Sequence, residues 1–307
     1  MNKLICIAGP TASGKTALSI ALAEALDAQI VSCDSMQVYK YMDIGTAKPT
    51  VEERKGIVHH MLDVAEPDED FSVSRYCAMA DPIVANILAR GQTAIIVGGT
   101  GLYMDSLIRG NAFAPFPSTG VRERLEAEPI EDVYARLSAI DPEAAARLHL
   151  SDKKRIIRAM EVYLETGITI TEHNRRTQLL PNKYDPVWFA LEDENRQDLY
   201  DRIDRRVEIM LEQGLVEEIR SLLVRGIPKK ATALQAIGYK EFLAALDGQC
   251  TLAEAAAQVQ QASRHYAKRQ LTWFRRNPAI HWLRRKPGTG NEEILMQARQ
   301  ILQENDK

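Results

Sequence analysis

The fold of this chain is decided by the segment Leu4-Ile-Cys-Ile-Ala-Gly-Pro-Thr-Ala-Ser-Gly-Lys-Thr16. An apolar run comes first, a glycine-bounded loop follows it, and an Ala/Leu-rich helical pattern continues from Lys15 to Leu26. The loop matches the pattern G-x-x-x-x-G-K-S/T in full and lies between a strand and a helix, which is the context that this motif requires. Successive backbone N–H groups and the helix N-terminus form an anion cradle there, so the segment predicts a site for a diphosphate-like group.

Two further apolar runs, Gln29–Ser32 and Thr93–Val97, are similar to the first, and the second of them ends at Gly98-Gly99. Continuous apolar runs separated by helices are typical of parallel strands that are covered on both faces of a sheet. We therefore predict an α/β fold whose core is a doubly wound parallel sheet with a P-loop.

Two Pro-rich segments divide the chain, one at 113–120 and one at 181–186. Between them every pattern is helical, which predicts a small all-helical insertion domain over residues 113–186. Residues 1–112 then form the first part of the core. Residues 187–307 form the second part, which starts with a strand at Val187–Leu191. All later patterns are interpreted as helices, including Ala231–Leu246 and Leu252–Arg275, and we expect these C-terminal helices to pack on the core.

Charge is distributed unevenly along the chain. Lys and Arg number 39 against 42 Asp and Glu, and this net charge of -3 predicts no general attraction to nucleic acid. Residues 264–307, however, carry 10 Lys/Arg and 4 Asp/Glu, which indicates a polyanionic partner or simply a solvated helix face. The part at 264–286 holds eight Lys/Arg and interleaved aromatic residues. That mixture suits RNA phosphates and stacked bases, unless Trp273 and Phe274 belong to the core.

The cysteine count and the apolar runs indicate the compartment. Four scattered cysteines, none of them at metal-ligand spacing, fit a reducing environment. No run approaches the ~20 apolar residues of a membrane-spanning helix, and the N-terminal apolar run is too short for a signal peptide. We expect a soluble cytoplasmic protein with no membrane partner.

Polar side chains follow the predicted strands, at the edge of the sheet where ligands bind. Lys15 is expected to reach the terminal phosphate, and the Thr16 hydroxyl is expected to ligate Mg²⁺. Asp34 has three interpretations: a general base, a ligand to Mg²⁺-bound water, or a structural helix cap. Thr100 follows two glycines and places a hydroxyl at the same edge.

Two smaller basic groups are candidates for phosphate contacts. Lys154, Arg155 and Arg158 share one side of a predicted helix, where a solvated face is the ordinary explanation. Arg202 and Arg206 stand one helical turn apart and suit a phosphate clamp, with surface ion pairing as the alternative.

Six motifs run through nearly the whole chain. They are Gly9-Pro-Thr-Ala-Ser-Gly-Lys-Thr16, Asp34-Ser-Met-Gln-Val-Tyr39, Asp43-Ile-Gly-Thr-Ala-Lys-Pro49, Gly98-Gly-Thr-Gly-Leu-Tyr103, Ala236-Ile-Gly-Tyr239 and Tyr266-Ala-Lys-Arg-Gln-Leu-Thr-Trp-Phe-Arg275. Together, and in this order, they resemble the bacterial tRNA dimethylallyltransferase family, also called tRNA isopentenyltransferases. The chain departs from the family at Cys33, where a serine is common before the aspartate.

The resemblance implies transfer of a dimethylallyl group from dimethylallyl diphosphate to N6 of the adenine adjacent to the anticodon of tRNA (position 37), with release of diphosphate. It implies a cytoplasmic monomer, with Mg²⁺ as cofactor and the tRNA anticodon stem-loop as partner, bound in part by the insertion domain. Asp34 is then the general base beside Thr100, while Lys15 and Mg²⁺ on Thr16 stabilise the leaving diphosphate. Donor binding falls to Gly9, Pro10, Thr11, Ala12, Ser13, Gly14, Lys15 and Thr16, with Arg202 or Arg206. tRNA binding falls to Asp34, Ser35, Met36, Gln37, Thr100, Arg122, Lys154, Arg155, Ile156, Ile157, Arg158, Gln235, Ala236, Ile237, Gly238, Tyr239 and Lys240.

Two other classes share the phosphate loop. A small-molecule or nucleotide kinase binds ATP there, but the chain shows no Arg-rich lid sequence. A regulatory ATPase or GTPase is the other class, and no Asn-Lys-x-Asp guanine motif follows a strand. The ligand that stabilises the protein against heat separates the three classes: dimethylallyl diphosphate with Mg²⁺, ATP or GTP.

Overall fold

The computed structural model describes residues 3–110, 119–179 and 181–305. Within these residues, six strands form one sheet. Its strands are β1 (Leu4–Ala8), β2 (Gln29–Ser32), β3 (His59–His60), β4 (Ala94–Val97), β5 (Val187–Asp193) and β6 (Ile280–Arg285). All pairs are parallel, and the order across the sheet is β3-β2-β4-β1-β5-β6. The chain winds from β1 to one side, returns through β4, and continues on the other side of β1. The predicted doubly wound parallel sheet is therefore confirmed.

Contacts divide the chain into two compact units, Met1–Gly110 with Tyr184–Lys307, and Asn111–Lys183. The predicted boundaries were 112/113 and 186/187, and most of the Pro-rich segment 113–120 lies outside the described residues. The first unit holds the sheet and begins with α1 (Lys15–Leu26), α2 (Val73–Ala89) and α3 (Gly101–Arg109). The second holds α4 (Val121–Ala127), α5 (Ile130–Ile140), α6 (Pro142–Ala145), α7 (Lys153–Thr166) and α8 (Ile170–Leu179). The first unit resumes with α9 (Arg196–Glu212), α10 (Leu215–Val224), α11 (Lys240–Leu246), α12 (Leu252–Phe274) and α13 (Asn291–Glu304).

One face of the sheet is covered by α1 and α13. Ile5 and Ile7 of β1 are fully buried and belong to one apolar cluster with Leu22 of α1 and Ile294 of α13. Because β1 has neighbours on both edges and helices on its face, an uninterrupted apolar strand is what this position requires. The buried first strand fixes the start of the phosphate loop at Gly9.

The Asn111–Lys183 unit has an apolar core of its own. Leu125 of α4, Val133 of α5, and Ile156 and Met160 of α7 form one buried cluster. A buried Asp141 accepts hydrogen bonds from the backbone N–H of Ala144 (3.0 Å) and from the backbone N–H of Thr171 (3.0 Å), which ties α6 to α8. The unit is all-helical within residues 119–179, as predicted for the insertion.

The C-terminal part differs from the prediction in two elements, and one helix of the insertion is shorter than predicted. The helix predicted over Ala231–Leu246 is interrupted: a short 3₁₀ turn at Ala233–Gln235 is followed by irregular chain, and Gly238 adopts a left-handed φ of 95° before α11 begins. The helix predicted over Pro142–Leu148 ends at Ala145. Ile280–Arg285, interpreted as part of a basic segment, is strand β6, paired with β5 over its whole length.

The missed strand has a physical explanation. Within β6 only Ile280 and Leu283 are buried, so its local pattern carries neither alternation nor a continuous apolar run. The strand forms because the free edge of β5 supplies hydrogen-bond partners from almost a hundred residues earlier in the chain.

Candidate active site

The phosphate loop leaves β1 at Gly9 and enters α1 at Lys15. Gly9 and Gly14 have φ of 145° and 91°, and Ala12 between them has φ of 60°, a conformation that is unfavourable for a residue with a side chain. The Ala12 carbonyl accepts a hydrogen bond from Nε of Arg202 (3.1 Å), which helps to hold the loop in this shape.

Lys15 lies across the loop with its ammonium group at the cavity. Its Nζ donates to the Pro10 carbonyl at 2.6 Å. Burial and the neighbouring Arg206 guanidinium lower the pKa of Lys15 to about 7, while the Asp34 carboxylate opposes the shift. An anion bound in the cradle would restore the favourable charge on this lysine.

The two candidate arginines occupy different places. Arg202 donates to Oδ2 of buried Asp193 at 2.5 Å and to the loop carbonyl, and it lines neither of the cavities described below. Arg206 donates to Oγ1 of Thr11 at 3.3 Å and lines both cavities. Burial lowers the pKa of Arg206, with Asp34 opposing that shift. Of the two, Arg206 is therefore the one at the cavities, whereas Arg202 holds the loop.

Asp34 follows β2 and is half-buried. Its Oδ1 accepts hydrogen bonds from the backbone N–H groups of Met36 (2.8 Å) and Gln37 (3.3 Å). Within the described residues its second oxygen accepts none. Thr100 is nearby, and its Oγ1 accepts from the backbone N–H of Ser35 at 3.1 Å. The local turn thus fixes one carboxylate oxygen of Asp34 and leaves the other for a ligand.

A glutamine that the sequence analysis did not single out joins two of the loops. Gln270 of α12 is 5% exposed; its Oε1 accepts from the Thr11 N–H (2.9 Å) and its Nε2 donates to the Gly99 carbonyl (3.0 Å). A Cβ atom on Gly99 would lie 2.0 Å from that Nε2, so only glycine permits the approach. Helical spacing is the sequence signal that could have identified Gln270 as buried, because Gln270 lies three residues after buried Ala267 and four before buried Phe274.

The motif from Asp43 is held by a carboxylate. Glu218 of α10 accepts from the backbone N–H groups of Asp43 (2.8 Å), Ile44 (2.7 Å) and Gly45 (3.1 Å), and also from the Tyr239 hydroxyl (2.7 Å). A Cβ atom on Gly45 would come within 2.5 Å of the Tyr239 ring. Tyr239, assigned above to tRNA binding, is fully buried, and its hydroxyl helps to hold this loop.

Two adjoining cavities open at the carboxyl edge of the sheet. The first, of about 100 Å³, is lined by polar groups that include Lys15, Thr16, Asp34 and Gln37. The second, of about 320 Å³, is more apolar. Its walls include Met36, Ile203, Val207, Met210, Ala236, Ile237 and Val259. The two cavities share Thr11, Asp34, Thr46, Arg206 and Tyr266. Burial, and to a smaller extent the Asp34 carboxylate, raise the pKa of Tyr266 to about 12, so its hydroxyl stays protonated.

The structure brings several of the residues assigned to tRNA binding to the second cavity. Ser35, Met36 and the run 235–239 line it, whereas Lys240 is exposed at the start of α11. Gln37 lines the first cavity, where its amide donates to the Thr46 and Ala47 carbonyls (both 3.2 Å) and accepts from Ser32 (3.1 Å).

The basic residues of the Asn111–Lys183 unit are mostly paired with acids. Arg158 donates to Glu161 at 2.7 Å, Arg155 to Asp152 at 3.0 Å, and Arg122 to Glu126 at 3.2 Å. Lys154 is exposed. The neighbouring Ile156 and Ile157, included above in the tRNA-binding segment, are buried and belong to the apolar core of this unit.

The aromatic residues near the C-terminus are also occupied internally. Phe274 is buried, and Nε1 of Trp273 donates to Oδ2 of Asp105 on α3 at 2.9 Å. The Arg276 guanidinium lies 4.0 Å from the centroid of the Trp273 ring. Phe274 therefore belongs to the core, which is one of the two interpretations given above for Trp273 and Phe274.

Over residues 3–110, 119–179 and 181–305, no cluster of three or more His, Cys, Asp and Glu is arranged to hold a metal ion. Over the same residues, no helix is both long enough and apolar enough to cross a lipid bilayer.

Fold and site together define an α/β protein with a parallel sheet, in which the glycine-bounded loop before α1 adjoins a polar cavity and a more apolar one. The model of the family described as IPP transferase matches residues 37–277. The chain belongs to this family.

Known proteins are similar over almost the whole chain. A protein of Caldanaerobacter subterraneus subsp. tengcongensis named tRNA dimethylallyltransferase is 45% identical over 286 residues, which is 91% of each chain. The crystal structure of a tRNA isopentenylpyrophosphate transferase from Bacillus halodurans is 40% identical, with a TM-score of 0.74, covering 98% of this chain and 96% of that one. A structure of a eukaryotic dimethylallyltransferase acting on tRNA is 31% identical, with a TM-score of 0.81 over 92% of this chain and 74% of its own.

Proposed function

We propose that this chain transfers the dimethylallyl group of dimethylallyl diphosphate to N6 of the adenine adjacent to the anticodon of tRNA, as a cytoplasmic monomer. The observation that carries the proposal is the junction of a phosphate cradle with an apolar cavity at Asp34. A prenyl diphosphate has a charged half and a hydrocarbon half, and its reacting carbon lies between them. The names of the relatives and the membership of the IPP transferase family support the same reaction.

The diphosphate would lie in the first cavity. Backbone N–H groups of the phosphate loop, Lys15 and Arg206 supply the positive field that stabilises the leaving group as negative charge develops on it. The second cavity has enough apolar wall for a five-carbon chain and room for an extruded base, whose unstacking costs a few kcal/mol that contacts to the RNA must offset.

The oxygens of the first cavity fit Mg²⁺. Thr16 is an exposed residue that lines this cavity together with Asp34, and Mg²⁺ prefers oxygen ligands completed by waters and phosphate oxygens. Thr16 would hold the ion, which when bound neutralises charge on the diphosphate. ATP binding, which the loop pattern also permits, is the property of the rival kinase class.

Asp34 would act as the general base. The adenine N6 attacks C1 of the donor, the C1–O bond breaks with its electron pair leaving on diphosphate, and an N6 proton passes to the free oxygen of Asp34. Because Oδ1 is already held by two backbone N–H groups, the second oxygen is fixed in direction, which favours proton transfer. Thr100, through Ser35, positions the same turn.

The test is transfer of a radiolabelled dimethylallyl group to an anticodon stem-loop that carries adenine beside the anticodon. We expect transfer by the wild-type protein. We expect a loss of about 10²–10⁴-fold in Asp34→Asn, with the affinity for both substrates nearly preserved. Near-wild-type transfer by Asp34→Asn would remove the base assignment. Absence of transfer by the wild type, together with ATP-dependent phosphorylation of a small molecule, would assign the chain to the kinase class.

A further inference from the structure

Two irregular segments of the chain form adjoining parts of the wall of the second cavity. One contains Gly45 and Thr46, and the other is the run from Gln235 to Tyr239. Gly45 and the run 235–239 line the second cavity but not the first. The position of these segments therefore shapes the space for the acceptor base, while most of the diphosphate site is formed by other residues.

Neither segment is fixed by a regular element. Residues 44–47 form a turn, and the run 235–239 passes from a short 3₁₀ turn through extended Ala236 to Gly238, whose φ is 95°. A helix or a strand is held by its own ladder of backbone hydrogen bonds, whereas irregular chain takes its position from contacts with other elements. The contacts that hold these two segments therefore decide where this part of the wall lies.

One carboxylate holds both segments. Oε2 of Glu218 accepts hydrogen bonds from the backbone N–H groups of Asp43 (2.8 Å) and Ile44 (2.7 Å). Its Oε1 accepts from the backbone N–H of Gly45 (3.1 Å) and from the hydroxyl of Tyr239 (2.7 Å). Burial and the neighbouring Glu218 carboxylate raise the pKa of Tyr239, so its hydroxyl stays protonated and remains a donor. Hydrogen bonds to an ionised acceptor are roughly twice as strong as those between neutral groups.

The contact between the two segments leaves little room for adjustment. A Cβ atom on Gly45 would lie 2.5 Å from the Tyr239 ring, so the buried ring packs directly on the backbone of the loop. Glu218 itself belongs to α10, whose residues are all described and line neither cavity. Its carboxylate therefore acts on a ligand of the second cavity only through the segments that it holds.

We propose that Glu218 is a positioning residue for the acceptor base, because its carboxylate fixes the loop at Asp43–Gly45 and the run 235–239 in the relative position that forms the second cavity. This rests on the proposed function, in which that cavity receives the extruded adenine. Diphosphate binding depends on the first cavity and should not require Glu218. A misplacement of about 1 Å at a reacting group can cost roughly 10²-fold in rate, which sets the size of the expected effect.

The neighbouring glutamate provides a matched control. Glu217 lies on the same helix but is exposed, and its carboxylate accepts from Arg220 at 3.5 Å. Glu217→Gln removes a charge from α10 without removing a hydrogen bond from either segment. Tyr239→Phe removes only the hydroxyl that joins the run 235–239 to the carboxylate, whereas Glu218→Ala releases both segments.

The experiment measures transfer of the radiolabelled dimethylallyl group at saturating donor over a range of anticodon stem-loop concentrations. Binding of inorganic diphosphate with Mg²⁺ is measured by calorimetry on the same proteins. We expect kcat/KM for the stem-loop to fall roughly 10–100-fold in Glu218→Ala and by a smaller factor in Tyr239→Phe, with the affinity and stoichiometry of diphosphate binding unchanged. Glu217→Gln should match the wild type. The double variant Glu218→Ala/Tyr239→Phe should be no weaker than Glu218→Ala, because both residues act through one hydrogen bond.

Loss of diphosphate binding in parallel with loss of transfer would overturn the proposal, because Glu218 would then support the whole unit instead of the acceptor cavity. Wild-type kinetics in Glu218→Ala, or additive losses in the double variant, would overturn it as well. If Glu218→Ala does not fold, Tyr239→Phe decides: a lower kcat/KM with unchanged diphosphate binding supports the proposal, and wild-type kinetics opposes it. Failure of the wild type to transfer the group is a different result, which counts against the proposed function itself.

Discussion

Replacing Gln270 by Met tests whether one side chain of α12 holds the two loops of the site together. Methionine keeps the length and most of the volume of glutamine but removes both hydrogen bonds. The Gly99 carbonyl is buried, and leaving it without a partner costs about 1–3 kcal/mol. The Thr11 N–H is partly accessible to water, so removing its acceptor costs only the net value of a hydrogen bond, roughly 1 kcal/mol. We expect the free energy of unfolding to fall by about 2–4 kcal/mol.

Urea unfolding followed by tryptophan fluorescence measures this change. The chain has 3 tryptophans, at 188, 273 and 282, and all of them lie in the unit that contains the sheet, so their signal reports that unit. Binding of inorganic diphosphate measured on the same variant should also weaken, because the Thr11 N–H is no longer oriented by its acceptor.

The control is Gln261→Met, an exposed glutamine of the same helix. That change should move the free energy of unfolding by less than about 0.5 kcal/mol. If Gln270→Met behaved like this control, with the same urea midpoint and the same diphosphate affinity, the junction would have no energetic role and the reasoning would be refuted.

Three further predictions concern the charged groups. With a pKa of about 7, Lys15 is mostly neutral at pH 8 in the free protein, so diphosphate binding should take up protons there and weaken as the pH rises above 7. Calorimetry in buffers of different ionisation enthalpy measures this uptake, and its absence would contradict the assignment. Arg206→Met should weaken diphosphate binding roughly 10–100-fold with little change in the urea midpoint. Arg202→Met should lower that midpoint as well. Equal effects of the two changes on binding and on the midpoint would contradict the different roles given to the two arginines. Charge reversal at Arg155 and Arg158 should reduce the salt dependence of stem-loop binding by about one unit of slope for each phosphate that the protein no longer neutralises, and an unchanged slope would leave both residues on a solvated face.

The local sequence pattern was sufficient to predict those features whose determinants lie within one short segment of the chain. The phosphate loop is a continuous motif between a strand and a helix, and Asp34 and Thr100 follow apolar runs whose ends share one edge in any parallel sheet. These positions could be predicted because strand direction alone brings them together. The confirmed sheet shows that, in a doubly wound fold, the ends of apolar runs identify residues that lie at the same edge of the sheet.

The parts that were missed depend on distant partners. β6 forms on the edge of β5, and Gln270 is identified only when α12 is laid across the loops after β1 and β4. The break in the helix predicted over Ala231–Leu246 is a further case, because the Ala/Leu-rich pattern favours a helix, whereas Ala236 is extended after the 3₁₀ turn and Gly238 has a left-handed φ.

The position of β1 between β4 and β5 also sets an order of events during synthesis. Roughly 90 residues separate Val97 from Val187, so at about 5–20 residues per second the ribosome needs roughly 5–20 seconds to deliver the second neighbour of β1. For that time the nascent sheet has a central apolar strand with an open edge, a state that invites mispairing and chaperone binding. The phosphate loop is synthesised first but gains its hydrogen bond to α12 late. Gln270, which links the loop to the turn after β4, is synthesised long after both of them.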